Sequence, residues 1–444
     1  MQKFRELRGE FVRYASLSAL GTLGTSCYIL ADTFFVAKGL GTAGLAALNL
    51  AIPVYNLIYG VGLMLGMGGA TKFAVSASQG EREAGNRAYA MALLLAGIAA
   101  VAFVAAGLLF PAEIARLLGA DEEVFDMTRT YLQVLLLFAP AFLLNAVLVS
   151  FVRNDGNPRL AMLATVGASL SNVALDYLFI FPCGMGIFGA VFATGLAPVI
   201  GVCILLPHML RRERGFRLTR KGLHPRLAGQ EAALGFPSLV TQLSSAVVMI
   251  TFNFLILGLA GNVGVAAYGV VANLALIAVG LYTGVAQGAQ PLLSRAWGQR
   301  DGEGLQRLTR WSTWSVLALS LVTLAVILAF PVPIAALFNG EGDAVLQGIA
   351  EQGLRLYFLS SPFAAYNLLL ATLFPSVERA LPAHALSLLR GLVLLVPAAF
   401  AFAALWGLVG VWLAVPVTEA VTAAAGYLVL RRERARGFGG ELQP

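Results

Sequence analysis

Two carboxylic acids, Asp32 and Asp176, occur in segments that are otherwise apolar enough to be buried in a membrane. A charged side chain near the middle of a bilayer costs about 2.5–3.5 kcal/mol or more. Acids are therefore rare in such segments unless they bind an ion, a proton or another charged group. The presence of two of them indicates ion chemistry inside the membrane.

Their spacing places these acids at one depth. Asp32 lies eight residues before a predicted turn near residue 40, and Asp176 lies nine residues before a predicted turn near residue 185. Thr194 follows the second turn by nine residues, and Asn172 precedes Asp176 by four and shares its helix face. Because an α-helix rises 1.5 Å per residue, Asp32, Asp176 and Thr194 should lie about 12–14 Å below the turns. We therefore predict that these four side chains form a cation site.

The donors in this predicted site are all oxygen atoms, which suit a hard cation such as Na⁺. The same carboxylates could instead carry protons, since burial and a neighbouring like charge both favour protonation. The residues alone leave Na⁺ and H⁺ open as the bound ion. We predict no cofactor, because no other ligand set is apparent in the sequence.

The elements that position these residues follow from composition. The chain has 444 residues, of which 59% are hydrophobic and 12% are charged. Soluble proteins carry about twice that charged fraction, and the apolar runs are long enough to cross a hydrocarbon layer of about 30 Å. We predict an all-α integral membrane protein with twelve transmembrane helices. Their approximate bounds are 12–37, 45–72, 87–111, 126–150, 159–181, 187–210, 230–258, 264–293, 308–333, 352–375, 380–404 and 408–430.

The distribution of basic residues predicts the orientation. The chain has 30 Lys and Arg residues, and those near loops after odd-numbered spans are Lys38, Arg116, Arg129 and Arg355. Basic residues concentrate on the cytoplasmic side of membrane proteins. We therefore expect both termini in the cytoplasm, in a multi-pass protein of the cell inner (plasma) membrane. The net charge of +7 then reflects topology, and a nucleic-acid partner is not expected.

An internal repeat divides the chain at an offset of 220 residues. Gly41, Gly44, Ala46, Ala47, Gly60, Gly68, Gln79, Glu83 and Arg87 recur as Gly261, Gly264, Ala266, Ala267, Gly280, Gly288, Gln299, Glu303 and Arg307. Each copy holds six spans, so the copies should have the same orientation in the membrane. We predict two six-helix bundles: an N-terminal lobe over 1–210, a cytoplasmic linker over 211–229, and a C-terminal lobe with a short basic tail over 230–444.

The predicted cation site has no counterpart in the second copy. Asp32 corresponds to Phe252, and Asp176 corresponds to Pro397. A requirement of the fold alone would tend to appear in both copies. The asymmetry therefore favours a specialised role for the first lobe.

Several segments together resemble the multidrug and toxic compound extrusion (MATE) transporters. These segments are 32–41, 153–158, 172–177, 186–194 and the Gly-Phe-Pro of 235–237. The resemblance implies a secondary active antiporter that exports organic, often cationic, amphiphilic compounds in exchange for Na⁺ or H⁺ by alternating access. It also implies a cation site in the N-terminal lobe at Asp32, Asn172, Asp176 and Thr194, and contact with small organic substrates and membrane lipids. We expect a monomer.

Other residues and functions are less sharply defined by the sequence. Polar and flexible side chains on spans 7 and 8 are substrate-binding candidates: Gln242, Met249, Asn253, Asn273, Tyr282, Gln287 and Gln290. Arg390 and Glu419 are charged residues in spans 11 and 12 with no assigned role. The alternative function is a lipid or lipid-linked precursor flippase of the same superfamily, and a passive channel is a further one. We predict that the chain is not an enzyme, because HExxH, GxSxG and nucleotide-binding motifs are absent from the sequence.

Overall fold

The computed structural model describes residues 2–340 and 342–435, and within these ranges it contains helices and no strand. Residues 436–444, which make up most of the predicted basic tail, lie outside the described residues. The α-helices are α1 (Gln2–Ser78), α2 (Arg82–Leu109), α3 (Pro111–Leu117), α4 (Phe125–Leu137), α5 (Ala139–Asn154), α6 (Pro158–Ile180), α7 (Gly186–Met209), α8 (Pro225–Gly298), α9 (Gly302–Ala329), α10 (Pro331–Phe338), α11 (Ala344–Tyr357), α12 (Ser361–Ser376), α13 (Ala380–Leu388) and α14 (Leu395–Ala435). A 3₁₀ turn (Phe358–Ser360) joins α11 to α12, and a π-helical turn (Leu389–Val393) joins α13 to α14.

These helices give the twelve predicted spans. Eight helical segments of the described chain are long and apolar enough to cross a membrane, and the bent pair of α4 and α5 makes a ninth span. Three of the nine, which contain α1, α8 and α14, each turn at one glycine with non-helical backbone angles and so count as two spans. The all-helical membrane fold with twelve spans in two bundles is confirmed. The spans cover 2–40, 42–78, 82–109, 125–154, 158–180, 186–209, 225–260, 262–298, 302–329, 344–376, 380–406 and 408–435.

The internal repeat is visible in the backbone. Gly41 turns with φ 68° and ψ −158°, and Gly261, 220 residues later, turns with φ 63° and ψ −160°. Both φ values lie in the region that favours glycine, so these turns explain why glycine recurs there. The Phe110-Pro111 and Phe330-Pro331 pairs each start a short helix, with proline at the first helical position.

The chain forms two compact units whose bounds do not follow the sequence halves. The first unit contains Ser16–Leu243, and the second combines the described residues up to Ala15 with those from Ser244 onward. The helices α1 and α8 therefore each begin in one unit and continue in the other. The lobe boundaries expected from the repeat stay a prediction.

Each unit is completed by a very close crossing of two helices. In the first unit a Cβ added to Gly68 would lie 2.0 Å from the carbonyl oxygen of Glu231. In the second unit a Cβ added to Gly288 would lie 2.5 Å from the carbonyl oxygen of Tyr14. Gly68 and Gly288 are repeat equivalents, so the same crossing is built twice. In each case glycine is required because another residue would place a side chain in the neighbouring backbone.

The first unit has two apolar cores. One core surrounds Phe73, Tyr89, Phe151 and Phe216, and it includes a residue of the predicted linker. Phe216 is fully buried there, and its ring packs on that of Tyr89 with centroids 4.6 Å apart. The segment that follows span 6 is therefore anchored to the first unit.

The second core of the first unit borders the predicted cation site. It contains Val36, Tyr131, Leu132 and Ile180 from three different helices. Gly39 lies against Ile180, which brings the turn after span 1 next to the end of span 5. This packing places Asp32 and Asp176 on facing helices.

Candidate functional site

Asp32 and Asp176 meet in the interior of the first unit. Asp32 lies on α1 and Asp176 lies on α6, and their carboxyl groups are within hydrogen-bonding range of each other. Asp176 is fully buried and Asp32 is 7% exposed. One oxygen of each, Oδ1, is buried and has no hydrogen-bond partner. Two carboxylates this close repel each other unless a proton or a cation lies between them.

Asn172 and Thr194 lie beside this pair. The Asn172 amide satisfies both of its polar atoms when its nitrogen donates to Asp176 Oδ2 at 3.0 Å and its oxygen accepts from the Thr194 backbone N at 3.2 Å. In the opposite amide orientation, Asn172 Nδ2 lies 3.4 Å from Thr194 Oγ1. The Thr194 hydroxyl donates to the carbonyl of Ala190 at 3.1 Å, so its lone pairs remain available. The structure thus brings all four predicted residues into one cluster.

Tyr131 on α4 is a member of the cluster that sequence reasoning missed. Its side chain is 3% exposed, and its hydroxyl lies close to Thr194 and near both acids. A tyrosine in an apolar span carries no formal charge, and its usual role at membrane interfaces gives no signal of a buried site. Only the packing of α4 against α7 shows that the hydroxyl belongs to the site.

Three further tyrosines extend polar contacts away from Asp32. Tyr28 and Tyr55 hydrogen-bond through their hydroxyl groups, and both lie near enough to Asp32 to act on it electrostatically. The ring of Tyr55 stacks on that of Tyr59 with centroids 6.0 Å apart. These side chains are also absent from the sequence prediction, for the same reason as Tyr131.

The donor set fits an alkali cation or a proton. It offers two carboxyl groups, one amide and hydroxyls, all of which are oxygen donors when the amide oxygen is turned inward. Within the described residues no group of three or more His, Cys, Asp and Glu side chains is placed to hold a metal. The chemistry that this cluster offers is that of oxygen donors, with two carboxyl groups that can also carry a proton.

The seven substrate-binding candidates fall in different environments. Tyr282 and Gln290 are 1% exposed inside the second unit. The Tyr282 hydroxyl lies close to Ser361 and Thr323, and Gln290 Nε2 donates to Ser294 Oγ at 3.2 Å. The neighbours of Tyr282 lie on α9 and α12, so its side chain packs between helices, whereas the Gln290 hydrogen bond stays within α8. The partly exposed candidates are Gln242 in the first unit and Met249, Asn253, Asn273 and Gln287 in the second.

Arg390 and Glu419 form an ion pair in the second unit. Arg390 Nε donates to Glu419 Oε1 at 2.5 Å, and Asn367 Nδ2 donates to Glu419 Oε2 at 2.7 Å. Arg390 lies in the π-helical turn and Glu419 lies on α14, so the pair joins spans 11 and 12. The two residues without an assigned role therefore neutralise each other.

Comparison with known proteins agrees with this architecture. A family model described as MatE matches residues 18–178 and 237–401. A relative from Staphylococcus saprophyticus, named multidrug export protein MepA, is 22% identical over 421 residues, which cover 94% of this chain and 92% of the relative.

Solved structures are similar along nearly the whole chain. A crystal structure of MATE in complex with MaL6 has a TM-score of 0.90 and 26% identity and covers 96% of each chain. A MOP superfamily transporter from Pyrococcus furiosus, described as having a binding pocket of reverse polarity that suggests a different function, has a TM-score of 0.89 and 26% identity. In this second comparison 97% of this chain and 96% of the other chain are covered. Together with the family match over both repeats, these similarities show that the chain belongs to the MATE family of membrane transporters.

Proposed function

We propose that this protein is a secondary active antiporter that exports small organic, often cationic, amphiphilic compounds in exchange for Na⁺ or H⁺. The observation that carries the proposal is the facing pair of Asp32 and Asp176, which are buried and each have an unpartnered oxygen. The export of drugs by proteins named MepA supports the substrate class.

The cation is proposed to act through the repulsion between the two acids. When Na⁺ or a proton binds, the repulsion is relieved and α1, α6 and α7 can pack more closely around the site. When the cation leaves, the acids repel each other and favour a different packing. Transport is coupled to the ion only if the two access states bind it with different affinity.

The environment of Arg390 bears on the flippase alternative. A carrier of pyrophosphate-linked lipids needs basic side chains free to bind phosphate oxygens. Arg390 is the basic residue deepest in a predicted span, and its Nε is bonded to Glu419. This pairing disfavours phosphate binding at Arg390, so we keep export of organic compounds as the proposed function.

The test is efflux of a fluorescent cationic dye from vesicles that contain the purified protein. An inward Na⁺ gradient and an inward proton gradient are imposed separately, and vesicles without a gradient serve as the control. Efflux that follows either gradient supports antiport and identifies the ion. Efflux that is equally fast without a gradient would show a passive channel and would contradict the proposal.

We further propose that one chain is sufficient for transport and that both termini face the cytoplasm of the plasma membrane. The charge distribution along the sequence supports the orientation. Labelling of single cysteines placed at position 5 and in the 118–124 loop, in intact and opened cells, tests it.

A further inference from the structure

The geometry points to a proton-binding carboxyl in the first unit that is separate from the Asp32–Asp176 pair, the side chain of Glu231. Glu231 lies against Gly68 on span 2. Gly68 follows the turn at Gly41 by 27 residues. That separation corresponds to about 40 Å of helix, whereas Asp32 lies about 14 Å from the same turn. Glu231 is therefore at the end of the unit far from the Asp32–Asp176 pair and does not belong to that site.

The surroundings of Glu231 do not support a charge. The residue is fully buried, and both of its carboxyl oxygens lack a hydrogen-bond partner. An ionised carboxylate in such a place has neither water nor donors to stabilise it. A protonated carboxyl is neutral and can remain there, so in this arrangement Glu231 carries a proton.

The tight helix crossing explains why Glu231 is sealed from water. Gly68 approaches the Glu231 carbonyl, and a Cβ added to Gly235 would lie 1.7 Å from the carbonyl oxygen of Met64. Two glycines on opposite helices thus bring the backbones of α1 and α8 into contact at Glu231 and one turn further along α8. No room remains for a hydration shell as long as the crossing is closed.

The repeat shows that the carboxyl is not needed for the crossing itself. Glu231 corresponds to Phe11 at the offset of 220, and Phe11 is 4% exposed and lies three residues before Tyr14, whose backbone meets Gly288. The corresponding position therefore holds a buried aromatic side chain in one copy and a buried acid in the other. An acid at a position where an apolar residue serves for packing indicates a role for the proton.

Lys72 is the titratable group that faces Glu231 from span 2. It follows Gly68 by one helical turn and acts electrostatically on the Glu231 carboxyl. Its ammonium group is a partner for Glu231 if the crossing loosens and water enters. The charged form of Glu231 is then stabilised, and the carboxyl loses its proton to water on that side of the membrane.

This inference rests on the proposed function for its link to transport. If α8 moves away from span 2 when the binding site opens to the cytoplasm, Glu231 releases its proton on the cytoplasmic side. Closing the crossing requires Glu231 to take up a proton again. The stability of the closed crossing therefore depends on the cytoplasmic pH, independently of the ion bound at Asp32 and Asp176.

The first experiment reads the proton directly. Infrared difference spectra of the purified protein in an ester-free detergent show the C=O stretching band of protonated carboxyl groups at neutral pH. We expect Glu231→Gln to lose part of this band, both in the natural sequence and in a chain that also carries Asp32→Asn and Asp176→Asn. Glu303→Gln, which removes an exposed acid paired with Arg307, is the control and should leave the band unchanged.

An unchanged band in Glu231→Gln overturns the inference. If Glu231→Gln does not fold, the same infrared band is measured in Lys72→Met instead. A band that is the same with and without Lys72 agrees with a protonated Glu231. A band that appears only after Lys72→Met shows that Glu231 is normally ionised and paired with Lys72, and this also overturns the inference.

The second experiment measures dye efflux while the pH on the cytoplasmic side is varied at a fixed ion gradient. Release and uptake of a proton by Glu231 should make the efflux rate depend on cytoplasmic pH. We expect Glu231→Gln to lose this dependence and to transport more slowly, because the glutamine cannot ionise. A profile that matches the natural protein contradicts the link to transport. If the natural protein shows no gradient-driven efflux, the proposed function fails, while the infrared result still decides whether Glu231 holds a proton.

Discussion

The Cα of Gly68 is so close to the backbone of Glu231 that a methyl group on Gly68 would lie 2.0 Å from the Glu231 carbonyl oxygen. This contact joins α8 to span 2 without any intervening side chain. Neither backbone can yield as a flexible side chain would. A larger residue at position 68 therefore tests directly whether the two helices cross this closely.

We predict that Gly68→Ala destabilises the protein by about 1–3 kcal/mol, the usual cost of overpacking. Gly288→Ala should have a similar effect, because it meets the backbone of Tyr14 in the second unit. Gly97→Ala is the control, since Gly97 lies inside α2 with no atom within 4 Å of the added Cβ. The measurement is the apparent melting temperature in detergent. Equal melting of Gly68→Ala and Gly97→Ala would contradict the described crossing.

Asp32→Asn and Asp176→Asn should each lower gradient-driven efflux by roughly 5- to 150-fold, the range expected when a coupling interaction is lost. The double variant should be no worse than the more impaired single variant, because the two acids act as a pair. Asp126→Asn, which changes an exposed acid at the start of α4, is the control. Dye efflux under an imposed gradient is the measurement, and unimpaired efflux in both single variants would rule out the proposed ion site.

Tyr131→Phe should weaken ion binding without abolishing transport. Loss of one hydrogen-bonding hydroxyl costs about 0.5–1.5 kcal/mol, which corresponds to roughly a 2- to 13-fold increase in the ion concentration for half-maximal efflux. Tyr177→Phe is the matched control, because Tyr177 is 56% exposed although it follows Asp176 in the sequence. The same half-maximal concentration in both variants would show that the Tyr131 hydroxyl takes no part.

Phe216→Ala should release the segment after span 6 from the first unit. Truncation of a fully buried phenylalanine typically costs about 3–5 kcal/mol. Leu218→Ala, two residues on and 66% exposed, provides the comparison. The readout is the rate of limited trypsin cleavage within residues 211–224, together with the apparent melting temperature. Cleavage at equal rates in the two variants would argue against the anchoring role of Phe216.

Asp301 should give the second unit a pH-dependent contribution to stability. Asp301 accepts hydrogen bonds from the Gly304 backbone N and from Lys3 Nζ, each at 2.9 Å. Partial burial raises the pKa of this carboxyl, but these hydrogen bonds outweigh it and hold the pKa below its ordinary value of 3.8. The stabilisation is therefore complete well above that value and is lost as the pH falls through the lowered pKa.

Asp301→Asn retains a good helix-capping side chain but cannot ionise. We expect it to melt at a lower temperature than the natural protein at neutral pH, and the difference should shrink below about pH 4. Asp126→Asn again serves as the control, with no such convergence expected. A difference that stays constant from neutral to acidic pH would contradict the role given to the charge.

The sequence predicts the features that repeat or that carry a charge in an apolar setting. The spans follow from the length of the apolar runs, and the turns at Gly41 and Gly261 follow from the repeat. The cluster of Asp32, Asn172, Asp176 and Thr194 follows from helical rise, because depth along a straight helix can be counted in residues. These are properties that depend mainly on local geometry.

Features that depend on packing between distant helices could not be predicted in this way. Tyr131 joins the ion site only because α4 packs against α7. Phe216 stands among basic residues in a loop, so its burial depends on the pocket formed by Phe73, Tyr89 and Phe151. Glu231 resembles an ordinary charged residue near a helix start until the approach of Gly68 shows that it is sealed.

Because α1 and α8 each contribute residues to both units, the two units cannot be completed at the same stage of protein synthesis. All residues of the first unit have been translated once Leu243 is made, before spans 8 to 12 exist. Tyr14 leaves the ribosome early, yet its partner Gly288 is made late. The nascent chain must therefore keep its N-terminal segment unpaired through most of translation. A gene divided at residue 210 would also give a first fragment that lacks Phe216 and Glu231, and that fragment would expose its core.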